Sequence, residues 1–232
     1  MAEHNYRQFC PVAMAAEMLC TRWTVVLLRE LLTGPARFNE LRRGLPRISP
    51  ALLSQRLKEL EEAGVVTRTP IAGEPGAHLY ALTEAGADLG PVIEGFGKWG
   101  QRWISSQLSL EQLDASLLMW DMRRRLGFDP PLSRRRVIQF QYPDAPRNER
   151  KWWLIVAPDC PVDLCSIDPG HDVDLYVSAL LRDMTAIWMG HDSVRRARSE
   201  ERLHLTGDRD LAETMERWLL CSPFATEVRR VA

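Results

Sequence analysis

Residues 49–64 constrain the fold of this chain more than any other segment. Ser49 can cap a helix whose first position is Pro50, where the missing N–H costs nothing, and Gly64 ends that helix after Ala63. Wound at about 3.6 residues per turn, Leu53, Leu57 and Leu60 share one face, while Ala51, Ser54, Gln55 and Lys58 lie on the opposite one. The leucines require a neighbouring core. The outward face is small, polar and basic at its leading end, as a helix entering a DNA major groove requires. Small residues permit close approach, Gln and Ser hydrogen-bond base edges, and Lys neutralises phosphate. An ordinary surface helix carries the same pattern, so the flanks have to decide.

Upstream, residues 12–32 carry Met14, Met18, Leu19, Trp23, Val26, Leu27 and Leu31 at helical spacing, with a break expected between Cys20 and Arg22. Gly34-Pro35 punctuates the chain, and Phe38, Leu41 and Leu45 mark a short helix ending at Pro46. Downstream, residues 65–71 and 78–82 read as two strands joined by Gly73-Glu74-Pro75-Gly76, followed by a helix capped by Thr83. Helix, turn, helix and hairpin make a winged helix-turn-helix, mainly α with a β-hairpin wing. Between positions 37 and 70 the basic residues Arg37, Arg42, Arg43, Arg47, Arg56, Lys58 and Arg68 outnumber Glu40, Glu59, Glu61 and Glu62, seven to four. Three of those acids sit in the last turns of the central helix, so its leading end meets DNA first. Arg37, Arg47, Ser49, Pro50, Ala51, Ser54, Gln55 and Lys58 are the candidate contacts. Arg68 and His78, at the base of the hairpin, either touch phosphate or stay solvated.

The helix that closes this half presents Val92, Phe96, Trp99 and Trp103 at heptad-like spacing, an aromatic stripe too large for a small domain to hide easily. It reads as a dimer seam, the alternative being packing on the domain's own core. In order and spacing, Cys10-Pro11-Val12, Arg22-Trp23, Gly34-Pro35-Ala36-Arg37-Phe38-Asn39-Glu40-Leu41, Ile48-Ser49, Leu57, Glu59-Leu60, Ala63-Gly64-Val65-Val66, Tyr80-Ala81-Leu82-Thr83 and Trp99-Gly100 resemble the HxlR-type regulators, relatives of the MarR group. The resemblance covers nearly all of the first half and implies a dimeric winged-helix transcription factor on double-stranded DNA. Two departures stand out. Thr21-Arg22 replaces the Gly-Lys usual before the tryptophan, and the wing is less basic, with Glu74 at its tip weakening any minor-groove role. In some members of that family the N-terminal cysteine senses oxidants or electrophiles, and Cys10 occupies the matching place. Standing just before Pro11 and the first helix, with Arg7 close in sequence, its thiol has a helix N-terminus to depress its pKa; otherwise it is a partly buried, inert cysteine.

At 232 residues the chain exceeds the usual domain of about 100 to 150 residues. Two cores are therefore expected, the first over residues 1–105 and the second over 106–232, with Ser105-Ser106-Gln107 as the boundary. The stripe Leu110, Leu113, Leu117 and Trp120 opens the second half, and Gly127-Phe128-Asp129-Pro130-Pro131 ends that helix. Residues 137–142, 152–157 and 162–167 form an antiparallel meander. A strand over 173–178, a helix over 180–189, a strand over 202–206 and a helix over 208–220 capped by Asp208 follow, giving an α+β domain. Asp172-Val173-Asp174-Leu175, Leu181, Trp188-Met189-Gly190 and Leu203-His204-Leu205-Thr206-Gly207-Asp208 resemble the sterol-carrier-protein (SCP2-like) fold, which in that family encloses an apolar tunnel for hydrophobic molecules. Trp120, Phe140, Trp152, Trp153, Leu164, Trp188 and Trp218 supply the lining that such a cavity needs, or else fill an ordinary core.

Composition bounds the remaining classes. A hydrophobic fraction of 45% and a charged fraction of 26% imply a folded chain, and a net charge of −1 means that any nucleic-acid partner is announced only by where the cations sit. Cys10, Cys20, Cys160, Cys165 and Cys221 are odd in number and lack zinc-ligand spacing, so reduced thiols are expected. With neither a secretory signal pattern nor an apolar run of about 18 residues, a cytoplasmic protein without a membrane partner is expected. The triplets Gly170-His171-Asp172 and Gly190-His191-Asp192 invite a metal reading, but neighbours on a strand point apart and no third ligand converges on either. Nucleophile elbows, phosphate loops and cofactor fingerprints are missing, so no enzyme, catalytic residue, metal or cofactor is expected. Arg123-Arg124-Arg125 and Arg134-Arg135-Arg136 either reach an acidic group or are solvated. The sequence thus points to a homodimeric DNA-binding regulator modulated by a hydrophobic small molecule. The alternatives are redox sensing through Cys10 and a lipid carrier without DNA binding.

Overall fold

The computed structural model describes residues 6–104, 113–129 and 131–230. They form two compact units, Met1–Gly97 and Lys98–Ala232, which divide within helix α6 (Gly90–Trp103). The boundary expected at 105/106 and the stripe residue Leu110 lie outside the described residues.

In the first unit, α1 (Pro11–Leu19) and α2 (Thr24–Leu31) are bent by 83° at the expected break, where Trp23 adopts a left-handed φ of 79°. They are followed by β1 (Ala36–Arg37), α3 (Phe38–Gly44), α4 (Pro50–Glu62), β2 (Val66–Pro70), β3 (His78–Leu82), α5 (Glu84–Ala87) and α6. Two corrections arise here. The wing hairpin gains a third strand, β1, which pairs antiparallel with β3 through Ala36↔Tyr80 and Arg37↔Leu79. Two residues are too few for any alternation to register in sequence. The helix capped by Thr83 also splits into α5 and α6, because Pro91 favours the first turn of a new helix over the interior of an old one. The core joins Leu27, Leu28 and Leu31 of α2, Leu41 of α3, the three α4 leucines, Val66, Tyr80 and Ile93.

The second unit contains α7 (Ala115–Met122), β4 (Arg136–Gln141), a 3-10 turn (Arg147–Glu149), β5 (Lys151–Val156), β6 (Asp163–Cys165), β7 (Leu175–Ala179), α8 (Leu181–Trp188), α9 (Val194–Ser199), β8 (Leu203–Gly207), α10 (Arg209–Glu213) and α11 (Met215–Trp218). Its sheet runs β6-β5-β4-β7-β8. The first three strands are the expected meander, and β7 lies parallel to β4 with β8 antiparallel at its other edge. Ile138, Phe140, Trp152, Leu154, Leu175, Val177, Ala179 and Leu203 form one face of this sheet, and each of the helices α7 to α11 sends buried side chains into the core upon it.

Three details differ from expectation. α7 is capped by Asp114 and buries Ala115, Leu118, Met119 and Met122, so the anticipated stripe is rotated and Trp120 falls outside that core. The short α9 was not anticipated, although Ser193 caps it by accepting the Arg196 N–H. The last helix, with Asp208 capping as expected, breaks at Thr214 into α10 and α11.

The basic runs are engaged in structure. Arg136 bridges Asp174 (3.0 Å) and Asp208 (2.7 Å), and Arg134 also reaches Asp174 at 2.7 Å. Asp174 further accepts the Val137 N–H at 2.8 Å, tying the start of β4 to the approach to β7. The Arg123 guanidinium lies 3.5 Å from the Trp120 ring centroid. Among the described residues, no set of three or more His, Cys, Asp and Glu side chains is arranged to hold a metal, and no single helix is long and apolar enough to cross a membrane. His191 faces Arg229 instead, and burial together with that cation pushes its pKa down.

Candidate nucleic-acid interface

The interface is built on α4. Ser49 caps it, its hydroxyl oxygen accepting the Leu52 N–H at 3.3 Å, with Pro50 in the first turn. At the other end Gly64 takes a left-handed φ of 71°, and the Val65 N–H returns to the Leu60 carbonyl at 2.9 Å. Leu53, Leu57 and Leu60 are buried, whereas Pro50, Ala51, Ser54, Gln55 and Lys58 are exposed. The two faces expected from periodicity are therefore the two faces of the folded helix.

The polar side chains on the outer face are not idle. The Gln55 amide donates to Glu59 at 2.9 Å, and Lys58 sits 3.6 Å from Glu62. Both are exposed pairs along one helix, of a kind worth about 0.5 kcal/mol or less, and are cheaply exchanged for another partner. Arg56 differs. It binds Glu59 and donates to the Arg22 carbonyl at 3.2 Å with its side chain largely covered, so it braces α4 rather than adding to the outward positive charge.

A pair that sequence inspection missed fixes the turn before α4. Glu30 of α2 is buried with Arg29 against it at 2.6 Å, and Arg29 also donates to the Gly44 carbonyl at 3.3 Å. A Cβ at position 44 would lie 1.9 Å from the Glu30 carboxylate, so any larger residue where α3 ends would force that buried side chain to move. Nothing in the periodicity separates Glu30 from a solvated acid; only Gly44, unexplained as a turn residue, hinted at a close approach.

Arg37 and Arg47 are exposed, as is Arg68, while His78 is partly covered. Arg68 lies 3.2 Å from His78 Nδ1, which is itself 3.0 Å from the Gly76 carbonyl oxygen. Arg37 grips Glu74 through both terminal nitrogens, at 2.6 and 2.9 Å, and its backbone N–H donates to Glu40 at 2.7 Å.

α6 leaves Val92, Phe96, Trp99 and Trp103 exposed, Trp99 by 60%. They do not enter the core of the first unit. α1 buries no residue and exposes Val12, Met14 and Met18, so a helix expected to form a packed layer presents a second apolar face. Cys10 caps α1 in position only; the backbone N–H groups of Ala13 and Val12 hold its thiol below the ordinary cysteine pKa. In the second unit, Phe140, Trp152, Trp188 and Trp218 share one core and Leu164 packs against it. Trp153 and Trp120 are buried elsewhere, and strand alternation puts Trp153 on the sheet face opposite Trp152.

Residues 18–108 match the HxlR-like helix-turn-helix family. An HTH-type transcriptional regulator of Bacillus subtilis, YvaP, is 40% identical over 101 residues, spanning 43% of this chain and 94% of YvaP. Another from Mycobacterium bovis, Mb3122, is 41% identical over 95 residues, 40% of this chain and 58% of that protein. Among solved structures, the reduced form of the transcriptional regulator YodB from B. subtilis is 32% identical, covering 45% of this chain and 98% of that one with a TM-score of 0.36. On its winged helix-turn-helix, the family match over residues 18–108 and its similarity to YvaP, the chain belongs to the HxlR-like helix-turn-helix family of transcriptional regulators.

Proposed function

We propose that the protein is a cytoplasmic homodimer that binds double-stranded DNA by laying α4 in the major groove, and that a hydrophobic molecule held in its second unit adjusts that binding. The observation that carries the DNA reading is the outer face of α4. Small and polar residues stand exposed on a helix whose opposite side is anchored by buried leucines. Ser54 and Gln55 would read base edges, with Ala51 permitting close approach; Arg37, Arg47, Lys58 and, from the wing, Arg68 and His78 would position the phosphates. The exposed apolar faces of α6 and α1 favour a two-fold partner, since patches of this kind mark interaction surfaces.

Sequencing the genomic fragments retained by the purified protein tests the DNA reading. A discrete set of sites, with affinity falling steeply as salt rises, is expected. A protein that retains no fragment at low salt would instead favour the lipid carrier.

For the second unit we propose an SCP2-like fold, in keeping with its α+β order. Its apolar ligand would lie among Phe140, Trp152, Leu164, Trp188 and Trp218. Trp120 and Trp153 do not belong to that set. A ligand acts as an effector only through the difference in its affinity for the DNA-competent and incompetent states. Titration with a long-chain fatty acid should quench tryptophan emission and shift the DNA affinity together, and quenching with unchanged DNA affinity would remove the regulatory role.

The lowered thiol pKa favours a second reading, in which Cys10 senses electrophiles. Being depressed, that pKa makes the thiolate appear at lower pH, whereas burial pushes Cys221 up. As pH rises, iodoacetamide should therefore label Cys10 before Cys221, and quinone treatment should alter DNA binding of the wild type but not of Cys10→Ser. Identical responses of the two proteins would discard this reading.

A further inference from the structure

We infer that Glu74 sets the DNA affinity of this protein by occupying Arg37 in the free state, so that Arg37 changes partner from a wing carboxylate to a DNA phosphate on binding. The inference rests on the DNA-binding reading above. Arg37 stands where β1 passes into α3, and Glu74 stands in the turn between β2 and β3. The pairing of Arg37 with Leu79 draws the wing strand alongside, so the carboxylate meets the guanidinium fork squarely, Nη1 to Oε2 at 2.6 Å and Nη2 to Oε1 at 2.9 Å. This geometry also suits a phosphate, which presents two oxygens to the same fork. Each side chain is 48% exposed, so a phosphate can reach the cation without unfolding anything. The pair raises the Arg37 pKa and lowers that of Glu74, as expected where each charged form stabilises the other.

A pre-neutralised arginine contributes little net charge to the interface. On exchange, the phosphate gains a cation while a carboxylate is released beside a polyanion, where it must recruit a counterion of its own. The wild-type pair should thus add almost nothing to the salt dependence, unlike an unpartnered arginine. Glu74→Gln keeps the size of the side chain and removes its charge. It should tighten binding to a random-sequence duplex about fivefold, the factor that corresponds to the upper worth of an exposed ion pair, and should steepen the slope of log K against log salt by about 0.9.

The test is a double-mutant cycle on the full chain with Glu74→Gln, Arg37→Ala and both together, measured by fluorescence anisotropy across a salt series. Thermal melting confirms that each variant is folded. The exchange predicts that the gain from Glu74→Gln vanishes when Arg37 is alanine. An equal gain in both backgrounds would overturn it by reducing Glu74 to simple repulsion of DNA, and weaker binding by Glu74→Gln would overturn it by making the pair a brace for the wing. Failure of the wild type itself to bind DNA at low salt would overturn the DNA-binding reading and this inference with it. Wild-type binding without a Glu74→Gln gain sinks the inference alone.

Discussion

α4 and α6 are close in length, 13 and 14 residues, yet turn opposite chemistry outward. α4 buries Leu53, Leu57 and Leu60 and shows water Ser54, Gln55 and Lys58; α6 buries Ile93 and shows water Val92, Phe96, Trp99 and Trp103. A polar face in water costs nothing and stays available for exchange with a polar ligand. An apolar face left wet forgoes about 25 cal/mol for every Å² that could be covered, so it calls for another protein surface. On the function proposed above, the two helices of one chain would take two kinds of partner, nucleic acid at α4 and a second copy at α6.

The most damaging change for this assignment should be Trp99→Asp. In a two-fold seam it is made twice, and losing an aromatic anchor costs about 2 kcal/mol per copy, or roughly 4 kcal/mol in all. The dimer should dissociate about a thousandfold more readily in sedimentation velocity, with DNA affinity falling in parallel. An unchanged sedimentation profile would remove α6 from the seam. Leu57→Ala attacks the other helix from its buried side and should cost about 3 kcal/mol in urea unfolding. A loss below about 1 kcal/mol would mean that the leucine face does not anchor α4. Gln55→Ala, on the outer side of the same helix, should leave stability unchanged and reduce discrimination between operator and random DNA by about 1 to 3 kcal/mol. Equal losses on both DNAs would deny Gln55 any role in base recognition.

What could be read from the chain follows the range of the forces involved. The bounds of α4 were legible because Ser49, Pro50 and Gly64 act on their immediate neighbours. The break between α1 and α2, expected at Cys20 to Arg22, and the three-strand meander were legible for the same reason, as interruptions of a local period, although Trp23 itself was read as part of the helical stripe. Partnerships set by tertiary approach were not. β1 exists because β3 offers it an edge, Glu30 is buried because α3 ends beside it, and Glu74 holds Arg37 across 37 positions of sequence. In the second unit the tryptophans could be counted but not sorted. Alternation separates Trp152 from Trp153, but only the placement of the helices on one sheet face reveals which of them meets the core. The candidate DNA face was thus largely visible in sequence, while the interactions that hold and occupy its arginines were not.

The contrast between α4 and α6 can be tested in a single experiment by placing a photoreactive side chain at Ser54 in one preparation and at Val92 in another, then irradiating each with bound DNA. The account predicts that the Ser54 probe attaches to DNA bases and the Val92 probe to a second copy of the chain. Capture of protein from Ser54, or of DNA from Val92, would contradict it.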